Sequence, residues 1–431
     1  MGTAQDQAHT QKHRPRLACA LSLIPGLGQL YNRHWLKGSL FLLFAAAFVV
    51  VFYDFLNIGF WGLFTLGTMP RIDDSRVLLG QGMMAVLLLT FALAFYWVNL
   101  RDAYKSAEAI RAGASRLTLR EGFWHAWDKG FPYILVGPGF FLLVFTVVFP
   151  LLFMVGLSFT NYSLHNAPPR ALLDWIGFEN LKNLFTVPIW RETFVSVFSW
   201  TLIWTLVATT LQIALALLLA LLVNDKRIKF KRTIRTILIL PWAVPAFVTI
   251  LIFVALFNNE FGAINRDIIY PLFGTNIPWL SDVLWSRFAL VIIQVWLGFP
   301  FVFALFTGVL QSISSDWYEA ADIDGASRFQ KLRFITLPHI LFATAPLLIM
   351  QYAANFNNFN IIYLFNQGGP PVQGQNAGGT DILISWVYKL AFENQQYSMA
   401  ATISIIIGLI VASIAIFQFR RSRSFKEEGQ I

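Results

Sequence analysis

Glu319-Ala320-Ala321-Asp322-Ile323-Asp324-Gly325 runs on without a gap to Ile335-Thr336-Leu337-Pro338. The pattern is E-A-A, three residues, G, nine residues, then I-x-L-P, and several residue types stand at fixed distances. A polar stretch of this kind is informative because an apolar run of membrane-spanning length flanks it on each side. The bland alternative is an amphipathic loop helix stopped by glycine.

Working outward, the chain of 431 residues is 57% hydrophobic and only 13% charged, with a mean hydropathy of +0.60. Soluble domains are about one quarter charged. With 42 Phe and 15 Trp, rings that lipid and headgroups accommodate, the composition is that of a polytopic membrane protein. One cysteine, Cys19, leaves no disulfide framework, and six scattered histidines show no metal-ligand spacing. Leu17-Ala18-Cys19 has the outline of a lipoprotein cleavage site. The residues upstream of it, Met1 to Arg16, are polar and hold no apolar core, so neither lipidation nor a cleaved signal is expected.

At about 20 residues per crossing, eight spans are expected, near 38–54, 77–99, 133–157, 195–223, 233–257, 287–309, 339–364 and 398–418. Leu17 to Tyr31 is too short to span and is broken by Pro25, Gly26 and Gly28; it reads as an interfacial or re-entrant piece. With the N-terminus inside, 24 of the 32 Lys and Arg fall in inner segments and eight in outer ones. The positive-inside rule then puts both termini and the Glu319 loop in the cytoplasm; a bacterial cell membrane is what the resemblance given below implies. Lys226-Arg227-Ile228-Lys229-Phe230-Lys231-Arg232 reads as a topology determinant in this setting, not a nucleic-acid patch. The expected division is 1–132 (N-terminal segment and two spans), 133–194 (third span and a short link), 195–418 (a core carrying the loop 317–338) and 419–431 (basic tail).

Ionisable residues, which would mark an ion pathway, are nearly absent from the central spans. The polar groups there are neutral amides. Gln351, Asn355 and Asn358 stand at i, i+4 and i+7 of the seventh span, one helical face. Such a face looks into a cavity or bonds a neighbouring helix. Gln294, Gly298 and Phe301 repeat the spacing in the sixth span, with Pro300 expected to break the helix. Pro241 and Pro245 fall near mid-depth of the fifth span, where each removes a backbone hydrogen bond. Amides, freed carbonyls and aromatic faces suit a neutral polyhydroxylated solute. An amino acid or a phosphate calls for a buried charge instead.

The stretches Ile239-Leu240-Pro241-Trp242-Ala243-Val244-Pro245, Trp296-Leu297-Gly298-Phe299-Pro300, the Glu319 loop, Asn355-Phe356-Asn357-Asn358-Phe359 and Asn366-Gln367-Gly368-Gly369-Pro370 together resemble the larger permease subunit of maltose/maltodextrin ABC importers, the MalF type. Thr380-Asp381 to Phe392-Glu393 fits as well, so the likeness runs from about residue 135 to the C-terminus. The resemblance implies an all-α type I importer permease fold. It also implies solute contacts at Trp242, Ala246, Gln294, Gly298, Phe301, Gln351, Asn355 and Asn358. Glu319, Ala320, Ala321, Asp324 and Gly325 are implied to couple the chain to an ATPase. Implied partners are a second permease (MalG-like), an ATP-binding subunit dimer (MalK-like) and an extracytoplasmic sugar-binding protein. Gln294 stands where the family has Asn, Trp242 and Phe301 where it has Tyr, and Ala246 and Gln351 where it has Ser. The link Phe159 to Glu192 is short, as in Gram-positive relatives, where the enterobacterial members insert a folded domain.

No Gly-Lys pair exists anywhere in the chain, so a P-loop is excluded. The expectation is a transport subunit, not an enzyme, with no cofactor, catalytic group or metal. The rivals are a type I permease for a different sugar or other neutral solute, a type I permease for an amino acid or phosphate, which needs an intramembrane charge, and a proton-coupled secondary transporter, which needs paired acids in the spans. A membrane enzyme would need converging His, Asp or Glu.

Overall fold

The computed structural model describes residues 14–113, 119–225 and 227–421. The first thirteen residues, Lys226 and the tail beyond 421 lie outside them, and with them most of the rejected leader and of the basic tail. Among the described residues the chain is all-α, with two isolated bridges, Thr160 to Trp175 and Pro371 to Gly378, in place of any strand.

Among the described residues seven helices are long and apolar enough to cross a membrane, and a bent pair counts as an eighth if it forms one span. The crossings are Trp35–Thr65, Ser75–Arg111, Gly130–Ser158, Pro188–Asn224, the pair Lys231–Ala243 and Ala246–Leu256, Val283–Ser312, Arg328–Asn366 and Tyr397–Ile416. Each expected span lies inside one of them or overlaps it closely. The helices outrun the apolar windows because local caps, not hydropathy, end them. Asp74 accepts from the Arg76 amide at 3.0 Å and starts the second span. Asp282 accepts from the amides of Leu284 and Trp285 at 2.9 and 3.0 Å and starts the sixth.

Prolines act differently on different helices of the chain. At Val244-Pro245 the fifth span breaks, and its halves diverge by 89°. At Pro300 the sixth span does not break: one helix runs through Val283–Ser312. Buried Phe299, Val302, Phe303 and Phe306 pack both sides of the proline into one core, so tertiary packing outweighs the lost hydrogen bond. Three other prolines follow a wider turn, while Pro132, Pro138 and Pro346 sit inside α-helices without one. Three π-helical turns, Val144–Val148, Ile264–Ile269 and Leu332–Thr336, each lie just before a proline: Pro150, Pro271 and Pro338. The ring of a helical proline crowds the carbonyl four residues back. Those carbonyls belong to Thr146, Asp267 and Phe334, all within the widened turns.

The chain divides into two compact units, Met1–Gly177 and Phe178–Ile431. In the first, Pro15–Leu21 and Leu27–Tyr31 form two short helices tied to the polar end of the second span. Gln29 Nε2 donates to the Asn99 carbonyl at 3.0 Å, Asn99 Nδ2 donates to the Ser22 carbonyl at 2.8 Å, and Asn32 Nδ2 donates to the Ala103 carbonyl at 2.9 Å.

In the second unit the fourth span, Pro188–Asn224, is the central post. Its residues enter three buried clusters, through Trp200 and Trp204, through Phe194 and Val197, and through Ala216, Ala220 and Val223. The segment between the last two spans is pinned to it. Trp200 Nε1 donates to the Thr380 carbonyl at 3.1 Å, and the Leu383 amide donates to Thr201 Oγ1 at 3.0 Å. Arg287 lies over the Trp200 ring at 4.3 Å and donates to the Gly379 carbonyl at 2.8 Å. Asp381, fully buried, accepts from Lys389 Nζ at 2.6 Å, from Ser385 Oγ at 2.8 Å and from the Gly378 amide at 2.7 Å. Burial pushes this carboxyl above its ordinary range, and the Lys389 charge pulls it part of the way back. Removing one partner of a buried ion pair costs about 3–5 kcal/mol because the other charge is stranded. Lys389→Met is therefore expected to lower the thermal unfolding midpoint of the purified protein and to expose the Pro371–Gly374 tip to protease. An unchanged midpoint and digestion pattern would remove the pair from the stability of this segment.

Candidate functional site

The bent fifth span, the sixth span and the seventh span enclose a cavity of about 520 Å³. Pockets for drug-sized ligands run roughly 300–1,000 Å³. All eight residues expected at the solute site line it: Trp242, Ala246, Gln294, Gly298, Phe301, Gln351, Asn355 and Asn358. Its remaining lining includes Asn357, Phe359 and Asn360, and none of the lining side chains is titratable.

The break in the fifth span puts Trp242 at the end of one half-helix and Ala246 at the start of the next. Trp242 meets Phe301 edge to face, with ring centroids 5.7 Å apart and planes at 67°. These two rings form the aromatic wall.

The opposite wall is amide. Asn358 Nδ2 donates to Gln294 Oε1 at 3.0 Å. Gln294 Nε2 donates to Gln212 Oε1 at 3.1 Å, and Gln212 Nε2 donates to Gln351 Oε1 at 3.1 Å. Asn355 Nδ2 donates to Thr209 Oγ1 at 2.8 Å and to Gln212 Oε1 at 3.4 Å. So the amides of the sixth and seventh spans both line the cavity and bond neighbouring helices; the two readings of that face hold together. Asn355 is the extreme case, with 2% of its surface exposed.

One residue at the centre of this chain of amides was absent from the expected site. Gln212, on the fourth span and fully buried, touches three of the expected residues through hydrogen bonds. A signal for it was present: Thr205, Thr209 and Gln212 stand at i, i+4 and i+7, the spacing that singled out the seventh span. Gln212 also explains Gly298. A Cβ built on Gly298 would lie 2.1 Å from Gln212 Oε1 and 2.6 Å from its amide carbon. The glycine leaves the space that the glutamine side chain crosses.

The expected single helical face of the seventh span is corrected in one respect. The helix Leu337–Phe356 ends, and Phe359–Asn366 begins after a break at Asn357 and Asn358. In an unbroken helix the Asn355 carbonyl would accept from the Phe359 amide. Here Trp204 Nε1 donates to it at 3.0 Å, and the Phe359 amide turns to the Asn357 carbonyl at 2.9 Å. Asn358 thus reaches the cavity from a helix start, not from the face of Gln351 and Asn355.

The loop after the sixth span folds as two short helices, Ser315–Ile323 and Arg328–Lys331. Ser314 caps the first, and Ser327 with Gln330 forms a reciprocal capping box on the second. Gly325 joins them at φ +72°, the left-handed region. Asp322 pairs with Lys331 at 2.5 Å across the turn. Tyr318 and Thr336 share a hydrogen bond of 2.8 Å that ties the first helix to the start of the seventh span. Glu319, Ala320, Asp324 and Gly325 are exposed and Ala321 is half-buried. Trp317, Ile323 and Phe329 are exposed beside them. The loop is an ordered, apolar-studded knob.

Residues 212–424 match the family described as binding-protein-dependent transport system inner membrane component. The chain is 55% identical over 419 residues to the galactooligosaccharides transport system permease protein GanP of Bacillus subtilis, a match covering 97% of this chain and 100% of that one. It is 46% identical over 429 residues to the maltodextrin transport system permease protein MdxF of the same organism, covering 97% and 98%. Against the maltose/maltodextrin transport system permease protein MalF of Escherichia coli it is 40% identical over 252 residues, 57% of this chain and 49% of that one. Among solved structures, a chain of a bacterial ABC transporter involved in the import of the acidic polysaccharide alginate superposes with a TM-score of 0.57 at 21% identity, covering 70% of this chain and 99% of that one. The last likeness is one of fold.

Proposed function

The chain belongs to the binding-protein-dependent transport system inner membrane components, as a sugar permease of the maltodextrin type in an ABC importer, and from that premise we propose that its amide-lined cavity is the membrane station of a neutral oligosaccharide. The observation that carries the reading is the convergence of Trp242, Phe301, Gln294, Gln351, Asn355 and Asn358 on one cavity without a titratable group. Ring faces take the C–H faces of a sugar, and amides exchange their bonds to one another for bonds to its hydroxyls. An acidic glycan or a phosphate would call for a cation in the lining. The substrate class is drawn as neutral hexose oligosaccharides, wider than maltodextrins, because a relative named for galactooligosaccharides is 55% identical.

In this reading both termini and the Glu319 loop face the cytoplasm. The chain pairs with a second permease, and two ATP-binding subunits seat the loops of both. An extracytoplasmic binding protein delivers the sugar. The chain itself has no nucleotide-binding motif and takes its work from the ATPase pair: closure of the ATPases moves the knob, and the knob moves the seventh span.

The test is competition uptake in proteoliposomes holding the complete complex, with its binding protein in excess. Galacto-oligosaccharides, maltodextrins, alginate oligomers, amino acids and phosphate are the competitors. Neutral oligosaccharides are expected to compete and charged solutes not. Trimers and longer chains are expected to be carried at least as well as dimers, because Trp242 and Phe301 constrain register less than fixed hydroxyl partners do. Transport of a charged solute in place of the neutral sugars would overturn the reading.

A further inference from the structure

Phe359 stands at one edge of the cavity lining. That ring lines the cavity and begins a continuous file of aromatic rings. Phe359 and Tyr363 stack with centroids 5.0 Å apart and planes at 20°. Tyr388 lies 4.8 Å from Phe359 and 4.9 Å from Tyr363. Phe392 follows Tyr388 at 4.9 Å and is 71% exposed. Phe359 and Tyr363 are one turn apart on the helix Phe359–Asn366, and Tyr388 and Phe392 are four residues apart across the start of the π-helical turn Lys389–Glu393. The file runs away from the cavity toward the segment between the last two spans.

Resting on the reading of the cavity as a saccharide station, we propose that Phe359, Tyr363, Tyr388 and Phe392 form an extended subsite that holds the outer sugar units of an oligosaccharide too long for the cavity. Three features carry this. The cavity of about 520 Å³ is in the lower part of the range for a single drug-sized ligand, so a longer chain must project from it. The rim ring is exposed yet firmly held. The Lys389–Glu393 turn is anchored by the Lys389 pair to buried Asp381 and by fully buried Leu390. The Asn394 amide closes it by donating to the Lys389 carbonyl at 2.8 Å. Finally, the aromatic strip has polar flanks suited to hydroxyls: exposed Asn360 at the cavity end, and exposed Glu393 and Asn394 at the rim. A ring set that served only as a membrane-interface belt has no need of continuity with the cavity.

The test uses Phe392→Ala and Phe392→Trp in the complete complex, reconstituted with a binding protein shown to accept every length offered. Because Phe392 is exposed, its truncation leaves the packing of the unit intact. Uptake per assembled complex is measured for a series from disaccharide to hexasaccharide. Phe392→Ala is expected to leave disaccharide uptake within twofold of wild type and to raise the KM for penta- and hexasaccharides at least fivefold. Phe392→Trp, which keeps a ring face, is expected to restore the long-chain values. An equal effect of Phe392→Ala at every length, or none at any length, overturns the subsite and leaves the cavity reading standing. Failure of the wild-type complex to carry any oligosaccharide of the series overturns both.

Discussion

Gly325→Val lowers sugar-stimulated ATP hydrolysis by the reconstituted complex at least tenfold, while Gly325→Asn stays within threefold of wild type. The difference follows from the backbone. Gly325 sits at φ +72°, and a Cβ built there meets nothing within 4 Å. Steric room is thus not the issue; the left-handed conformation is. It costs an ordinary L-residue roughly 1–2 kcal/mol, a factor of about 5–30 in population. A β-branched residue pays more, and Asn, which tolerates this region, pays less. The strained knob loses the angle between its two helices, which in the coupling proposed above is the angle an ATP-binding subunit engages. Glu319→Lys acts on the same contact by charge reversal on an exposed helix face, and its complex is expected to assemble without stimulation by sugar. Equal activities of Gly325→Val and Gly325→Asn would sink the backbone argument. Wild-type stimulation in Glu319→Lys as well would remove the loop from coupling.

Gln212→Leu reduces transport per assembled complex at least tenfold, although Gln212 itself is fully buried behind the cavity wall. The substitution deprives the Gln294 amide nitrogen and the Gln351 amide oxygen of their Gln212 partner. Each unmet buried amide costs about 1–3 kcal/mol, so the two side chains turn to other partners and the wall loses its shape. Gly298→Ala is expected to do comparable harm by another route, because its new methyl would collide with Gln212 at 2.1 Å. The two effects share one cause, so they should not add. In a Gln212→Ala background, where the colliding atoms are gone, Gly298→Ala is expected to cause little further loss. A double-mutant cycle on uptake per assembled complex measures this directly. Full additivity would mean that Gly298 serves the cavity by some means other than clearing space for Gln212. Asn355→Ala and Asn358→Ala belong to the same wall, but Asn355 also holds Thr209, so its loss reaches the fourth span.

The crossings were legible because about 20 apolar residues per span is a demand of the bilayer and leaves a mark in composition. The break at Pro245 was legible for an equally local reason, although the helix runs on through Pro241 to Ala243. Pro300 and Asn357-Asn358 were not, because both outcomes are decided by partners remote in sequence. Pro300 is carried through by a phenylalanine core, and the seventh span is interrupted by the indole of Trp204, 151 positions upstream of the carbonyl it takes. Nothing in Asn355-Phe356-Asn357-Asn358 alone announces that interruption. The eight residues expected at the solute site came from the family resemblance, and helical spacing alone marked Gln294, Gly298 and Phe301 on the sixth span and Gln351 and Asn355 on the seventh. Gln212 escaped because a lone amide in an apolar span draws no notice, while its meaning lies in the two threonines one and two turns before it.

The widened turn at Leu332–Thr336 has a consequence for angular phase. An α-helix advances 3.6 residues per turn, so each residue subtends about 100°. A π-helical turn closes its hydrogen bond one residue later, which leaves the side chains beyond it rotated by nearly that amount relative to an uninterrupted helix. The azimuth at which Gln351 and Asn355 leave the seventh span is therefore offset from the one that counting forward from Arg328 would assign. The offset is kept in place by Pro338, whose ring denies the turn its tighter closure. A proline that touches neither the knob nor the cavity thus sets the bearing of one with respect to the other, as a keyway fixes a cam on its shaft.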